Sequence, residues 1–270
     1  METYDAIEVS VENRVGVITL NRPNVMNAIN EQMISDVTNA MKIFNRKQKI
    51  ACILINGNGR CFSAGFDMKE ASKRSIKGED EWRKVLKKDF DFTMQFWNSK
   101  KPTIAAVHGF CLAGAFEVML ACDISISGKN TFFGEPEVRF GSGIVAMLAP
   151  WITGPKQAKE ILLTGNDRLT AEHCYKMGVL NHVVDEGQVF QKSLEIAEQI
   201  SKASDKSVQS TKRAINKSYE IAKMNDALKE ALEIDIKIES EESPERAMFN
   251  KIRKESGLKA ALEWRDSKFN

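Results

Sequence analysis

Apolar and polar positions near the N-terminus follow the spacing of β-strands. The runs IEVSV and VGVITL lie within residues 6–20 and are joined across ENR, which predicts a hairpin. The sequence NRP at 21–23 ends the second strand, because proline lacks an amide hydrogen and restricts the residue before it. The wholly apolar run ACILI at 51–55 predicts a strand buried on both faces, as in a parallel sheet.

Apolar residues spaced by three and four predict helices between and beyond these strands. Asn30 is a suitable N-cap for a helix, whose buried face would carry Met33, Val37, Ala40, Met41 and Phe44. Residues 154–178 are rich in helical patterns, 179–184 predict a last short strand, and the chain is helical from 188 onward. We therefore predict a mixed βα part at residues 1–187 and an all-helical part at 188–270.

Residues 102–122, PTIAAVHGFCLAGAFEVMLAC, form the central stretch of the pattern. A strand at 103–107 runs into a turn at His108-Gly109, and an apolar helical pattern begins near 116. Glu117 is the single carboxylate there, and burial would raise its pKa. The alternative is a glutamate on a wet helix face or in the first helical turn, where the helix dipole favours it. The interruptions by His108, two glycines and Glu117 argue against a membrane span.

Two further segments carry candidate site residues. Residues 61–68, CFSAGFDM, place small residues around a glycine and before an acid, which would let backbone N–H groups approach a ligand. Residues 131–137, TFFGEPE, place two carboxylates around a proline after an aromatic strand end. The alternative for residues 61–68 is an ordinary loop, and the alternative for residues 131–137 is a surface turn. The charged stretch 69–89 is expected to be a mobile loop entering a solvated helix, and the aromatics of 90–97 to make core or subunit contacts.

Composition narrows the classes of function. With 270 residues and 43% hydrophobic content the chain can bury a full core. Its net charge of +2 gives no field that demands nucleic acid or an anionic membrane. Five cysteines without a CxxC pair and three histidines without a zinc motif predict buried, reduced thiols and no metal site. The N-terminal sequence has no signal-peptide or transit-peptide pattern, so we expect a cytoplasmic protein.

Taken together, five stretches resemble the enoyl-CoA hydratase/isomerase (crotonase) family, in that family's order. They are VGVITLNRP with Asn27, ACILINGNGRCFSAGFDMKE, KPTIAAVHGFCLAGAFEVMLACDISI, FFGEPEVRFG and ILLTGNDRLTAEHCYKMGVLNHVV. Each stretch alone is modest, whereas their joint occurrence at this spacing is specific. The resemblance implies an α/β fold, a spiral of ββα turns with a helical C-terminal region that drives assembly into a homotrimer or a dimer of trimers.

The resemblance also implies an acyl-CoA thioester substrate in fatty acid metabolism, with CoA belonging to the substrate and no separate cofactor. The thioester oxygen would lie between the backbone N–H groups of Phe66 and Gly114, which would form an oxyanion hole. Four positions match residues that hold the adenine and pantetheine parts of CoA in relatives: Val25, Ala64, Asp67 and Met68.

Two glutamates, Glu117 and Glu137, match the acid–base pair of the family's hydratases. Adding water to a 2-enoyl thioester needs a base for the water and an acid for the α-carbon, and two neighbouring carboxylates can share that work. Isomerases of the family often use one carboxylate, so the pair favours a hydratase. Glu135 lies two residues away, and only the family motif selects Glu137 over it.

Residues 141–151, GSGIVAMLAPW, depart from the family's glycine-rich segment. Apolar side chains replace glycines, so we expect the acyl pocket to differ in shape and in its placing of Glu137. An isomerase, a thioester hydrolase, a decarboxylase and a non-catalytic CoA-binding or RNA-binding member stay open as alternatives. RNA binding would need a basic stripe, and the basic residues of 69–88 are interleaved with acids as on a solvated face.

Overall fold

Two sheets organise the strands in the computed structural model, which describes residues 3–71 and 76–269. In chain order the strands are β1 (Ile7–Glu12), β2 (Val15–Leu20), β3 (Cys52–Gly57), β4 (Thr103–Val107), β5 (Phe110–Leu112), β6 (Ile124–Gly128), β7 (Phe132–Gly134), β8 (Leu169–Thr170) and β9 (His182–Val184). The larger sheet has six strands in the order β1-β2-β3-β4-β6-β9, and β5-β7-β8 form a three-stranded sheet. The predicted hairpin is confirmed, because β1 and β2 pair antiparallel while β2, β3, β4, β6 and β9 pair in parallel.

Helices connect and cover the sheets. They are α1 (Glu31–Arg46), α2 (Met68–Ala71), α3 (Gly78–Trp97), α4 (Gly114–Ala121), α5 (Ala149–Thr153), α6 (Pro155–Thr164), α7 (Ala171–Lys176), α8 (Val189–Ser201), α9 (Asp205–Ile221), α10 (Met224–Ser240) and α11 (Pro244–Asp266). The Asn30 side chain caps α1 by accepting a hydrogen bond from Met33 N at 3.0 Å, as the sequence predicts. None of the described helices is long and apolar enough to cross a membrane.

The central strands β3 and β4 of the six-stranded sheet are buried on both faces, which explains the unbroken apolar run in β3. Ile53 and Ile55 pack into the larger core with the apolar face of α1, whereas Cys52 and Leu54 pack on the opposite side. Val189 and Ala197 of α8 cover that opposite side. Alternate residues of one strand therefore enter two different cores, as the two-residue period of a strand requires.

The chain repeats the order of long strand, short strand and helix around the central stretch. β4 is followed at once by β5 and α4, and β6 is followed by β7. β5 pairs in parallel with β7, and Ser63 forms an isolated parallel bridge with Cys111 of β5. The turn at Gly109, where φ is 69°, redirects the chain from one sheet to the other. This geometry brings the loop before α2 against the N-terminus of α4.

Several predicted elements differ in detail. The short strand β5 follows the predicted turn at His108-Gly109, where the sequence analysis predicts no strand, and the last strand occupies only His182–Val184 of the predicted 179–184. The charged stretch 69–89 forms parts of α2 and α3, although residues 72–75 of that stretch lie outside the described residues. Phe92 and Phe96 of α3 are buried in the core, as expected. The boundary at 187 stays a prediction.

Candidate active site

A cavity of about 1280 Å³ collects the predicted site residues. Its lining includes all eight of them: Val25, Ala64, Phe66, Asp67, Met68, Gly114, Glu117 and Glu137. They come from the turn after β2, the loop before α2, the start of α4 and the 3-10 turn Glu137–Phe140. The fold thus brings together residues that lie more than a hundred positions apart in the sequence.

The loop holding Phe66 lies directly against the start of α4. Gly65 has φ of 89°, and a methyl group on it would come within 2.6 Å of Ala113 Cβ and 3.2 Å of Gly114 N. A methyl group on Gly114 would in turn overlap the Phe66 ring. Glycine leaves room at position 65 for the backbone of residues 112–114 and at position 114 for the Phe66 ring.

The backbone N–H groups of Phe66 and Gly114, named here the backbone pair, are available to a ligand. Neither has a hydrogen-bond acceptor within the described chain, although Gly65 O and Asp67 N on either side of Phe66 bond to Ile29. Ala113 caps α4 with φ of 56° and ψ of −138°, a conformation rare for a residue with a side chain. The strained turn and the helix dipole both favour an anion at Gly114.

Glu117 lies in the first turn of α4 and is buried, with 1% of its surface exposed. The prediction of a buried carboxylate is therefore confirmed, and the alternative position in the first helical turn also holds, whereas the wet helix face is wrong. Its Oε1 accepts a hydrogen bond from Val145 N at 3.0 Å, and its Oε2 accepts one from Ala146 N at 3.1 Å. Burial raises the pKa of Glu117 to about 7, and the two N–H groups act in the opposite direction by stabilising the carboxylate.

Glu137 begins the 3-10 turn Glu137–Phe140 and is half-buried. Its Oε2 is enclosed and has no hydrogen-bond partner within the described chain. Burial raises its pKa well above the ordinary value, and the charges of Glu117 and Asp235 raise it further. Burial thus raises the pKa of both carboxyls, so a protonated acid can exist beside a base near neutral pH.

Glu135 differs from Glu137 in its access to the cavity. It is 1% exposed, burial and the charges of Glu117 and Glu137 raise its pKa, and it is absent from the described lining. Periodicity could not separate these two glutamates. The structure supplies a physical distinction, because a substrate in the cavity would meet Glu137 and not Glu135.

The four positions matched to CoA contacts line the cavity in different ways. Val25 is 38% exposed at its rim, and Ala64 and Met68 flank Phe66. The carboxylate of Asp67 is already engaged, since Oδ2 pairs with Arg22 Nη1 at 2.9 Å and Oδ1 accepts from Lys69 N and Glu70 N. Burial acts to raise the pKa of Asp67, but these contacts together lower it below its ordinary value. The ionised side chain therefore supports the loop.

The C-terminal helices add residues that the sequence analysis did not single out. Asp235 and Glu239 of α10 line the same cavity, and Arg246 of α11 pairs with Glu239. Glu117, Glu137, Asp235 and Glu239 are named here the acid cluster. Asp235 and Glu239 continue the apolar stripe of Leu228 and Leu232 at helical spacing, a signal that could have identified them as buried.

A kink at Gly257, with φ of 89°, interrupts α11 and lets its last part line the cavity through Leu258, Leu262 and Arg265. The guanidinium of Arg265 is buried and pairs with Asp167 at 2.9 Å and Asp266 at 2.6 Å. It is therefore engaged by protein carboxylates.

The five cysteines are buried and free, and His108 Nε2 lies 2.9 Å from Gly59 O.

Comparison with known proteins identifies the family. The sequence model of the enoyl-CoA hydratase/isomerase family matches residues 10–270. The chain belongs to this family. A probable mitochondrial enoyl-CoA hydratase of Dictyostelium discoideum is 36% identical over 78% of this chain and 75% of its own. A crotonyl-CoA hydratase of Syntrophomonas wolfei is 30% identical, over 80% of this chain and 84% of its own.

Solved structures agree on the fold. An enoyl-CoA hydratase/isomerase from Xanthobacter autotrophicus Py2 superposes with a TM-score of 0.97 at 44% identity, covering 99% of this chain and 100% of that one. A probable enoyl-CoA hydratase from Mycobacterium smegmatis gives a TM-score of 0.81 at 30% identity, covering 86% and 93%. The predicted crotonase-like α/β fold with a helical C-terminal region is thus confirmed for this member of the enoyl-CoA hydratase/isomerase family.

Proposed function

We propose that the protein is an enoyl-CoA hydratase that adds water across the double bond of a 2-enoyl-CoA thioester. The observation that carries this proposal is the pairing of Glu117 and Glu137 in one cavity beside two unoccupied backbone N–H groups. Hydration needs both a base and an acid, and burial raises the pKa of both carboxyls, so one of them can hold a proton near neutral pH.

In the proposed reaction Glu117, as the carboxylate, removes a proton from water while the water oxygen bonds to the β-carbon. The π electrons of the double bond move toward the thioester, and the enolate oxygen accepts hydrogen bonds from the backbone pair. Glu137, as the neutral acid, gives its proton to the α-carbon, which restores the thioester. Val145 N and Ala146 N hold the Glu117 carboxylate in place during this transfer.

The substrate's CoA part is proposed to lie along Val25, Ala64, Asp67 and Met68, with CoA entering as part of the substrate and no separate cofactor. A homotrimer or dimer of trimers and a role in fatty acid metabolism are further parts of the proposal. So is a cytoplasmic location, which the five buried free thiols support because they suit a reducing compartment. The names of two relatives instead mention mitochondria and peroxisomes.

The test is hydration of a panel of 2-enoyl-CoA esters of different chain length and branching, followed by loss of the conjugated thioester absorbance. We expect Glu117→Gln and Glu137→Gln each to lower kcat by about a hundredfold or more, the effect typical of general acid–base groups. Glu172→Gln is the matched control, because Glu172 is an exposed glutamate of α7 paired only with Lys176 in the described chain.

Two outcomes would replace the proposal. If one variant alone loses activity and the wild type converts a 3-enoyl ester to its 2-enoyl isomer, the protein is an isomerase. If the wild type binds CoA but leaves every ester unchanged, the hydratase proposal is wrong.

A further inference from the structure

Asp235 is a buried acid at the candidate active site. It is 2% exposed, and neither carboxyl oxygen has a hydrogen bond within the described chain. Asp235 nevertheless lines the cavity that contains Glu117 and Glu137. Buried polar groups in native proteins almost always have a hydrogen-bond partner, so two orphan oxygens at a ligand cavity indicate that the partner comes from the ligand.

One side of Asp235 is apolar. Its helix neighbours Leu232 and Ile236 form a buried cluster with Leu86 of α3 and Val145, and Trp82 packs against that cluster. This side of the cavity therefore suits a hydrocarbon chain. The charged groups near Asp235, including Glu239 and Glu117, give its two oxygens no hydrogen bond within the described chain. A carboxyl in such a place lowers stability unless a ligand group satisfies it.

The segment after the 3-10 turn Glu137–Phe140 makes room for this carboxyl. A methyl group on Gly143 would overlap Oδ1 of Asp235, so glycine leaves the space that the acid occupies. The preceding residue, Ser142, donates a hydrogen bond to Glu239, and Val145 donates one to Glu117. One short segment thus connects the surroundings of Asp235 to the proposed catalytic base.

Building on the proposed hydratase function, we propose that Asp235 is a specificity-determining residue that binds a hydroxyl group on the acyl chain of the substrate. The orphan oxygens, the apolar neighbours and the space at Gly143 together select a hydrocarbon chain with one such group. A chain of hydrocarbon alone would leave both oxygens unsatisfied, and a site built around a polar group rejects analogues that lack it.

The charge around Asp235 favours a hydroxyl over an anionic group. Burial raises the pKa of Asp235 to about 8, and the charges of Glu239 and Glu117 contribute. The carboxyl is therefore neutral at pH 7 and can both donate to and accept from a hydroxyl. An acyl carboxylate would face the acid cluster and be repelled, and an ammonium would require Asp235 to give up its proton.

The test compares two series of 2-enoyl-CoA esters matched in heavy atoms, one ending in a hydroxymethyl group and the other in an ethyl group. We expect wild type to show a kcat/KM at least tenfold higher for the hydroxyl ester at one chain length. Asp235→Asn keeps a donor and an acceptor, so it retains the preference. Asp235→Leu removes both and reverses it.

Asp226→Asn is the matched control, since Asp226 is an exposed aspartate on the same helix, paired with Lys223. Leucine at 235 is not expected to prevent folding, because it replaces a buried acid with an apolar side chain of similar size. Thermal unfolding of each variant verifies this before the kinetics are compared.

Three results would overturn the assignment. Wild type could prefer the alkyl ester at every length, or it could prefer an amine-terminated analogue. Alternatively, Asp235→Leu could slow both esters equally and shift the pH profile, which would mean that Asp235 acts through the pKa of Glu137. Hydration of alkyl esters without any hydroxyl preference leaves the hydratase standing and removes only the role of Asp235, whereas no hydration of any ester removes both.

Discussion

The backbone pair and the acid cluster line the same cavity but are built in opposite ways. The N–H groups of Phe66 and Gly114 come from short segments in which glycine and a strained Ala113 allow close packing. The acid cluster comes from side chains on α4, the 3-10 turn Glu137–Phe140 and α10, brought together by helix packing. One part depends on main-chain geometry and the other on electrostatic surroundings.

This difference separates what each part can tolerate. The backbone pair has fixed dipoles that no change of pH alters, and it fails when a side chain intrudes. The function of the acid cluster depends instead on which carboxyls are protonated. Substitutions that add bulk should therefore affect the first part, and changes of pH should affect the second.

Gly114→Ala is expected to have the largest effect. The added methyl group would overlap the Phe66 ring, so the ring or the loop must move and the two N–H groups would no longer converge. We expect kcat to fall by about 10²- to 10³-fold, the cost of losing an oxyanion donor. The measurement is steady-state hydration of the best 2-enoyl-CoA ester.

Gly187→Ala is the control for that experiment, because a methyl group there meets no atom within 4 Å. Alanine is a better helix former than glycine, so Gly114→Ala should not unfold α4 through backbone propensity. Unchanged kcat in Gly114→Ala would contradict the assignment of the backbone pair.

The backbone pair was the more predictable part from sequence. The glycines at 65 and 114 stand in short family motifs, and the central strand, turn and helix follow from an apolar run of unusual composition. Glu117 could be identified because it is the single carboxylate in that run. Its two N–H partners at Val145 and Ala146 could not, since their segment departs from the family pattern and its position depends on packing.

Asp235 and Glu239 escaped sequence analysis for a different reason. The C-terminal helices carry many lysines and glutamates, and most of these are exposed. Helical spacing from Leu228 and Leu232 could mark the two acids as buried, but it does not show that they line the cavity. Asp67 is a different case, because the family motif identifies its loop correctly. The motif does not show that the Asp67 carboxylate pairs with Arg22 and accepts a hydrogen bond from the start of α2. Local patterns predict elements, whereas the partners of a charged side chain depend on contacts across the fold.

The pH dependence of hydration should report the ionisation of Glu117 in the acid cluster. Burial raises the pKa of Glu117 to about 7, and the proposed base must be ionised. We therefore expect kcat/KM to rise with pH and level off above pH 7, falling about tenfold for each pH unit below the pKa. In Glu117→Gln the residual rate should lose this rise. A flat profile in wild type from pH 5 to pH 8 would contradict the role of Glu117 as base.

The smallest expected effect is on the free energy of unfolding. It tests the protonation of Asp235 without a measurement of catalysis. Burial raises its pKa from the ordinary 3.8 to about 8; the charges of Glu239, Glu117 and Asp89 add to this, and Arg246 opposes it. The folded protein thus holds a proton that the unfolded chain releases, so wild-type stability falls as pH rises from about 4 to 8. Asp235→Asn, which resembles the neutral acid, lacks this dependence.

Between pH 7 and pH 9 the difference in unfolding free energy should move by about 1.4 kcal/mol in favour of Asp235→Asn, equivalent to one pKa unit. For a domain of this size that is about 2–4 °C in Tm. The measurement is thermal unfolding of both proteins across this range, with Asp226→Asn expected to follow wild type. Parallel pH curves for wild type and Asp235→Asn would show that Asp235 is ionised in the folded protein, and the acid cluster would then need a cation to balance it.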